Sequence, residues 1–507
     1  MASDYRDSRY REAQLNLKRL GQEKKMQLDT VITGATLIDG SGNQPVEADI
    51  GLDGEHIVSV GRFQYPPDVS VVDATGYMIA PGFIDSHTHD DGYLLAHPDM
   101  LPKVSQGVTT VVTGNCGISL APLVRHAVPQ PLDLLGPTDL FRFASFKSWI
   151  DALHAAPASV NVVPLVGHTT LRVAVMGDTS GAASPAEREA MRILLQEALE
   201  AGAFGVSTGT FYPPAAAATT DEIIDVCMPM KEQGGIYATH LRDEADQIVL
   251  AMQEALDIGR AIDCRVVFSH HKLAGEKNHG RSRETLRMIA EAAAVQPVCL
   301  DCHPYPATST MLRLDRVRIS RRTMITWCQN HPEVAGMDFS QIMDEWRLDE
   351  QETFERLSPA GAIYFLMDEE DVSRIFRFPM TMVGSDGLPF DSHPHPRQWG
   401  TFTNVLRTMV RERQLLTLQE AIHRMTGLAA ENYGLHKRGL IREGYFADLV
   451  MFDPDRVADM ATFEKPIRAS QGIEAVWVNG VRVWDGQQTG ALRPGKVLTP
   501  HRMRSSN

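Results

Sequence analysis

Cysteine is scarce in this chain, with six among 507 residues, at positions 116, 227, 264, 299, 302 and 328. So few, so irregularly spaced, exclude a disulfide framework and make a reducing, cytoplasmic setting the expectation. Positive charge is also short: Lys and Arg total 49 against 64 Asp and Glu, a formal net charge of -15. The basic footprint of a nucleic-acid or anionic-membrane binder is missing, which leaves a small molecule as the expected partner. No stretch reads as a membrane span. Residues 104–124 are uncharged and long enough to cross a bilayer, yet they include Ser105, Gln106, three threonines, Asn115 and Pro122. Residues 1–27 carry charge throughout and lack the apolar segment of a signal peptide, so a polar tail is expected there. Fixed-period repeats are missing too.

What is present is an ordinary globular composition, 43% hydrophobic and 22% charged, enough for one large domain and a smaller one. Short β-branched runs broken by Gly, Asn and Asp occur at 28–61, and the same style returns in GYFADLVMFDPD and GIEAVWVNGVRVWDG near the end. Two β-rich ends around a different middle predict one small β domain, 28–79 with 437–507. The middle, 80–436, alternates apolar runs with amphipathic stretches such as PAEREAMRILLQEALEAG, the pattern of parallel β/α units. Eight candidate strands fall at 82–89, 107–115, 159–168, 202–209, 235–240, 265–270, 297–305 and 381–386. The expectation is an α/β fold, a (β/α)8 TIM-type barrel. Residues 306–380 are too many for one loop and helix, and predict an inserted subdomain between the seventh and eighth strands.

Active sites of such barrels lie at the C-terminal ends of the strands. His87 and His89 sit two apart on the first candidate strand, so both imidazoles face one side. Cys116 follows the second, His240 closes the fifth, His270 the sixth and Asp386 the eighth. A lone free cysteine is usually a small buried hydrophobe, and a lone buried histidine a core residue. Six such residues at equivalent strand ends point instead to a metal. Imidazole with thiolate suits zinc, which activates a water for hydrolysis and polarises a carbonyl. Asp386 is placed to take a proton from that water and pass one to a leaving nitrogen.

HTH, THLRDE, SHHK and VGSDG, in this order, resemble the amidohydrolase superfamily. More narrowly, GFIDSHTHDDGYLL, TGNCGISLAPL, STGTFYPP, SHHK with NHGRSRETL, and SDGLPFDSHPHPRQWGTF resemble the N-acyl-D-amino-acid deacylases, from about Leu28 to the C-terminal β unit. Many superfamily members bridge two metals with a carboxylated lysine after the fourth strand. GAFGVSTGTFYPP has no lysine, and in the deacylases a cysteine takes that ligand place, which Cys116 matches. The resemblance implies a tight zinc at Cys116, His240 and His270, a weaker second site at His87 and His89, and Asp386 as catalytic acid/base. It implies that Tyr212, Lys272, Arg397 and Ser309 bind the substrate carboxylate. Phe211, Tyr364 and Met367 match an apolar side-chain pocket, so neutral hydrophobic N-acyl-D-amino acids are the expected substrates. Acidic N-acyl-D-amino acids or cyclic amides are the alternative, although cyclic-amide hydrolases generally use the lysine missing here. A non-enzymatic interaction protein on this fold would usually lack several of these ligands.

Other residues read as supporting. His271 is expected to face away from His270, and His168 or Asp301 to orient a ligand. His393 and His395, in a Pro-rich loop, receive no metal role. Family members commonly carry tyrosine-proline-tyrosine after the seventh strand, where this chain has His303, Pro304 and Tyr305.

Overall fold

The computed structural model describes residues 28–501; the polar tail expected at 1–27 lies outside them. The amphipathic stretch at 185–200 is a helix, Pro185–Glu200. Its start is fixed by a capping box in which the Ser184 hydroxyl accepts from the Glu187 amide while the Glu187 carboxylate accepts from the Ser184 amide. Met191, Leu195, Ala198 and Leu199 line its buried stripe, and the helix packs among the neighbouring helices His168–Val175, Thr220–Cys227 and Pro229–Gln233.

Eight parallel strand positions make the barrel, the third of them split in two, so that nine strand segments form two hydrogen-bonded sets. Asn161–Pro164, Val108–Thr113 and Phe83–Asp85 form one. Val166–Gly167, Gly205–Gly209, Ile236–His240, Arg265–Phe268, Val298–Cys302 and Thr381–Val383 form the other. The sequence's third candidate strand therefore breaks at Leu165, where the chain passes from one set to the other, and His168 opens a helix, His168–Val175, rather than closing a strand. On the opposite side the Ser86 amide and hydroxyl reach Val383 O, and Thr88 bridges Gly387. These contacts close the barrel.

The termini share a mixed sheet in which Leu449–Phe452 pairs antiparallel with Met78–Pro81. Thr30–Leu37, Val46–Asp53 and His56–Gly61 continue the sheet on one side, Ile473–Val478 and Val481–Trp484 on the other. It has a core of its own around Ile32, Ile50, Leu449 and Trp477. Within 306–380, Thr308–Met311, Ala360–Tyr364 and Thr323–Cys328 form a separate antiparallel sheet, with Ala360–Tyr364 in the middle. The helix Glu369–Arg377 contacts the seventh and eighth barrel strands, so the outlying sheet occupies the residues before it. All six cysteines are free and buried. Among the described residues no helix is long and apolar enough to cross a membrane.

Candidate metal centre and its cavity

The turn after the second barrel strand carries Cys116 under the fourth. The Asn115 amide group donates to Thr88 O and Val112 O, the Gly117 amide donates to the Ser207 hydroxyl, and that hydroxyl donates to Gly114 O. The approach is so close that a Cβ on Gly209 would lie 2.0 Å from Cys116 O. Cys116, His270 and Asp386 all hold positive φ, at 53°, 35° and 50°. Left-handed backbone at three non-glycine strand ends is held by the surrounding structure, as is common at functional sites.

The result is two donor sets that share one sulfur. His87, His89, Cys116 and Asp386 bring ligand atoms within 4.8 Å of one another, and so do Cys116, His240 and His270. Cys116 Sγ lies 3.3 Å from His87 Nε2 and 3.2 Å from His270 Nε2. The residues fit zinc. Burial pushes the His87 imidazole down to about 3 and that of His240 well below its ordinary range, so both present the neutral, metal-binding form. Among the described residues, both nitrogens of His240 are buried without a hydrogen-bond partner. Burial raises the Cys116 thiol well above its ordinary value, so a thiolate there calls for a cation beside it.

Carboxylates stand behind the ligands. Asp301 Oδ1 lies 3.4 Å from His87 Nδ1 and accepts from the His270 amide. His168 orients no ligand: its Nε2 lies 3.5 Å from Glu222, which pairs with Arg172 away from the centre. His271 Nε2 is 2.9 Å from Thr285 Oγ1 on the following helix, and His393 and His395 approach the carbonyls of Phe463 and Ala307. Asp386 Oδ1 lies 3.3 Å from His89 Nε2 and 3.6 Å from His87 Nε2, while Oδ2 lies 2.9 Å from Arg397. Burial by itself would raise this carboxyl, but Arg397 and then the neighbouring imidazoles outweigh it and hold it well below the usual range.

A narrow cavity of about 20 Å³ opens above the centre. Tyr212, Lys272, Ser309, Phe211 and Tyr364 line it, as do His89, His240, His270 and Asp386. The Tyr212 hydroxyl lies 2.9 Å from Thr310 Oγ1, and the Ser309 hydroxyl donates to Ala362 O. Met367 is not on this wall; Leu366 is. Side chains alternate through this segment, so 364 and 366 face the cavity, while Phe365 turns away onto Phe463. Arg397 is not on the wall either. It is fully buried against Asp386, His303, Thr308 and the Ser309 carbonyl.

A family model described as the amidohydrolase family matches residues 70–484. The chain belongs to the amidohydrolase family. Within it, 475 residues are 70% identical to an N-acyl-D-aspartate deacylase of Alcaligenes xylosoxydans xylosoxydans, covering 94% of this chain and 95% of that protein. A crystal structure of D-aminoacylase matches with a TM-score of 0.92 at 52% identity, over 93% of this chain and all of the other. An N-acyl-D-glutamate deacylase from Bordetella bronchiseptica, solved with zinc and a phosphonate mimic of the tetrahedral intermediate, matches with a TM-score of 0.90 at 45% identity, over 94% and 100% of the two chains. This amidohydrolase is thus closely related to the N-acyl-D-amino-acid deacylases and carries the metal-binding cluster of a zinc-dependent hydrolase.

Two residues of this amidohydrolase's cavity, Glu244 and Arg316, escaped the sequence, as did Arg313 beside them. Glu244, inside the quoted THLRDE, reaches Lys272, His270 and His240 at once. Arg313 and Arg316 place their guanidinium carbons 4.4 Å and 4.3 Å from the Phe211 ring centroid. Both arginines belong to the outlying segment, more than a hundred positions from Phe211, so local spacing gave no signal for them.

Proposed function

We propose that this protein hydrolyses the amide bond of N-acyl-D-amino acids with acidic side chains, N-acyl-D-aspartate foremost, yielding a carboxylate and a free D-amino acid. The observation that carries the side-chain preference is Arg316. Its side chain is 8% exposed and lines the cavity, and its guanidinium makes no hydrogen bond among the described residues, its nearest acid being Glu244 at 3.9 Å. A nearly buried guanidinium without a close acceptor is matched to a carboxylate. Arg313, which already pairs with Asp315, adds positive charge over the same ring. The similarity to an N-acyl-D-aspartate deacylase supports the same reading. This reading replaces the expected neutral hydrophobic side chains with the acidic alternative: Phe211 is covered by cations, and the Tyr364 hydroxyl is engaged by Met311 O and the Arg313 amide.

Cys116, His240 and His270 would hold the tighter zinc, with His87 and His89 forming the weaker second site around the shared sulfur. Bound there, the metal supplies an activated water and a Lewis acid for the acyl carbonyl. The chain's own residues do the rest. Asp386, kept ionised by Arg397, accepts a proton from the attacking water through Oδ1 and delivers it to the amide nitrogen as the carbon–nitrogen bond breaks. Lys272 and Tyr212, on the cavity wall, face the α-carboxylate, and Arg316 takes the side-chain carboxylate. The barrel domain (80–436) supplies the donors, the 306–380 insertion supplies Ser309 and Arg316, and among the described residues the small β domain (28–79 with 437–507) contributes no cavity residue.

The test is amine release from the N-acetyl derivatives of D-aspartate, D-glutamate, D-methionine and L-aspartate by zinc-loaded protein, repeated with Arg316→Met. The expected order puts D-aspartate first and leaves L-aspartate uncleaved. Arg316→Met should lower kcat/KM for the acidic substrates by on the order of 10- to 100-fold while sparing D-methionine. A wild-type preference for D-methionine would overturn the acidic reading.

A further inference from the structure

Glu244 stands where the metal centre and the cationic wall of the cavity meet. Its side chain is 7% exposed. Oε1 contacts Lys272 Nζ and lies 3.2 Å from His270 Nδ1 and 3.7 Å from His240 Nε2, while Oε2 lies 3.9 Å from Arg316. The same carboxylate therefore pairs with Lys272, stands beside His270, and lies within 4 Å of His240 and Arg316. Placing a negative charge in a cavity meant for a dicarboxylate is costly unless that charge organises something.

Two geometric facts indicate what it organises. First, His270 presents Nε2 to Cys116 Sγ at 3.2 Å, so the other nitrogen must carry the proton if Nε2 is to ligate, and Nδ1–H then needs an acceptor. Lys272 Nζ, 2.6 Å from Nδ1, has only donors to offer. Glu244 Oε1, 3.2 Å away, is the acceptor within reach. Second, an ammonium so close to Nδ1 would compete for that lone pair and turn the ring to the non-ligating tautomer. The ion pair to Glu244 gives Lys272 a carboxylate partner in competition with that ring nitrogen, and Lys272 lines the cavity.

We propose that Glu244 is a positioning residue with two linked roles: it sets the His270 tautomer for metal binding, and it holds Lys272 in place to receive the substrate's α-carboxylate. The second role rests on the function proposed above; the first does not. Glu244 acts through His270 and Lys272 and moves no proton in the reaction.

The experiment measures zinc affinity by chelator competition, and KM for N-acetyl-D-aspartate and for its α-carboxamide, in wild type, Glu244→Gln, Lys272→Met and the double variant. Glu244→Gln should weaken zinc binding by about 10- to 100-fold, whereas Lys272→Met should leave it unchanged or tighter. At saturating zinc, Glu244→Gln should raise KM for the α-carboxylate substrate by about tenfold with little effect on the carboxamide. That rise should vanish in the Lys272→Met background, because the effect runs through the lysine. If Glu244→Gln does not fold, Glu244→Asp, which keeps the charge and withdraws it by one methylene, is read in the same two assays. Wild-type zinc affinity in Glu244→Gln overturns the first role, and a KM rise that persists without Lys272 overturns the second. If no N-acyl-D-amino acid is cleaved by wild type, the function reading fails, while the zinc competition still decides the first role.

Discussion

Arg397 lies 2.9 Å from Asp386 Oδ2, fully buried, and it also donates to the Ser309 carbonyl. A residue matched from sequence to a substrate carboxylate thus pairs with Asp386, the proposed proton carrier. Its expected contribution is to keep Asp386 ionised. Arg397→Gln should raise the Asp386 pKa, because the first lowering influence on it is gone, and the acid limb of kcat/KM should move to higher pH. A pH–rate profile checks the direction. Removing one partner of a buried pair should also cost about 3–5 kcal/mol of stability, read by denaturant unfolding.

Asp386→Ala separates proton transfer from metal binding. The tight set Cys116, His240 and His270 contains no atom of Asp386, so zinc at that set should be retained. Turnover should fall by about 100- to 10,000-fold. Metal analysis beside the rate measurement checks both halves, and near-normal turnover would remove Asp386 from the mechanism.

Gly209→Ala tests the packing that delivers Cys116. The added carbon would meet Cys116 O at 2.0 Å and its carbonyl carbon at 2.8 Å, and backbone on both sides leaves nothing flexible to yield. The Cys116 turn should shift, with zinc affinity weakened by an order of magnitude or more. Chelator competition on purified protein reads the loss, while the same change at Gly444, where an added carbon meets nothing within 4 Å, should spare zinc and cost only backbone strain.

Asp391, in the loop after the eighth barrel strand, has its carboxyl pushed up to about 7 by burial. The folded protein therefore keeps this proton over a range in which the unfolded chain, with an ordinary carboxyl near 3.9, has lost it. Its contribution to stability is full below the unfolded pKa and is lost as pH rises through about 7. Asp391→Asn carries no such proton, so from pH 5 to pH 8 wild type should lose about 2–3 kcal/mol relative to the variant. Denaturant midpoints at the two pH values check the sign.

The layout of the barrel was legible because its strands are apolar, β-branched and followed by amphipathic helices, and each of these signals is local. The same locality explains the break at Leu165: one continuous apolar run serves two hydrogen-bonded sets, and periodicity carries no information about partners. The 364–367 segment shows the limit at single-residue scale. Leu366 rather than Met367 faces the cavity, because the strand's alternation persists past Tyr364.

The sequence by itself determined the donor types, their order and their places at strand ends, because period-2 geometry and turn chemistry are written in neighbouring residues. Its resemblance to the deacylases also implied that Cys116 takes the ligand place of the bridging lysine, which the fourth strand lacks. Only the tertiary structure decided how the charges are shared. Lys272 with Glu244, Arg397 with Asp386, and Arg316 over Phe211 are pairings across space between different elements. Whether a buried cation serves the substrate or the protein depends on which carboxylate the fold brings within 3–4 Å, and no spacing along the chain encodes that distance.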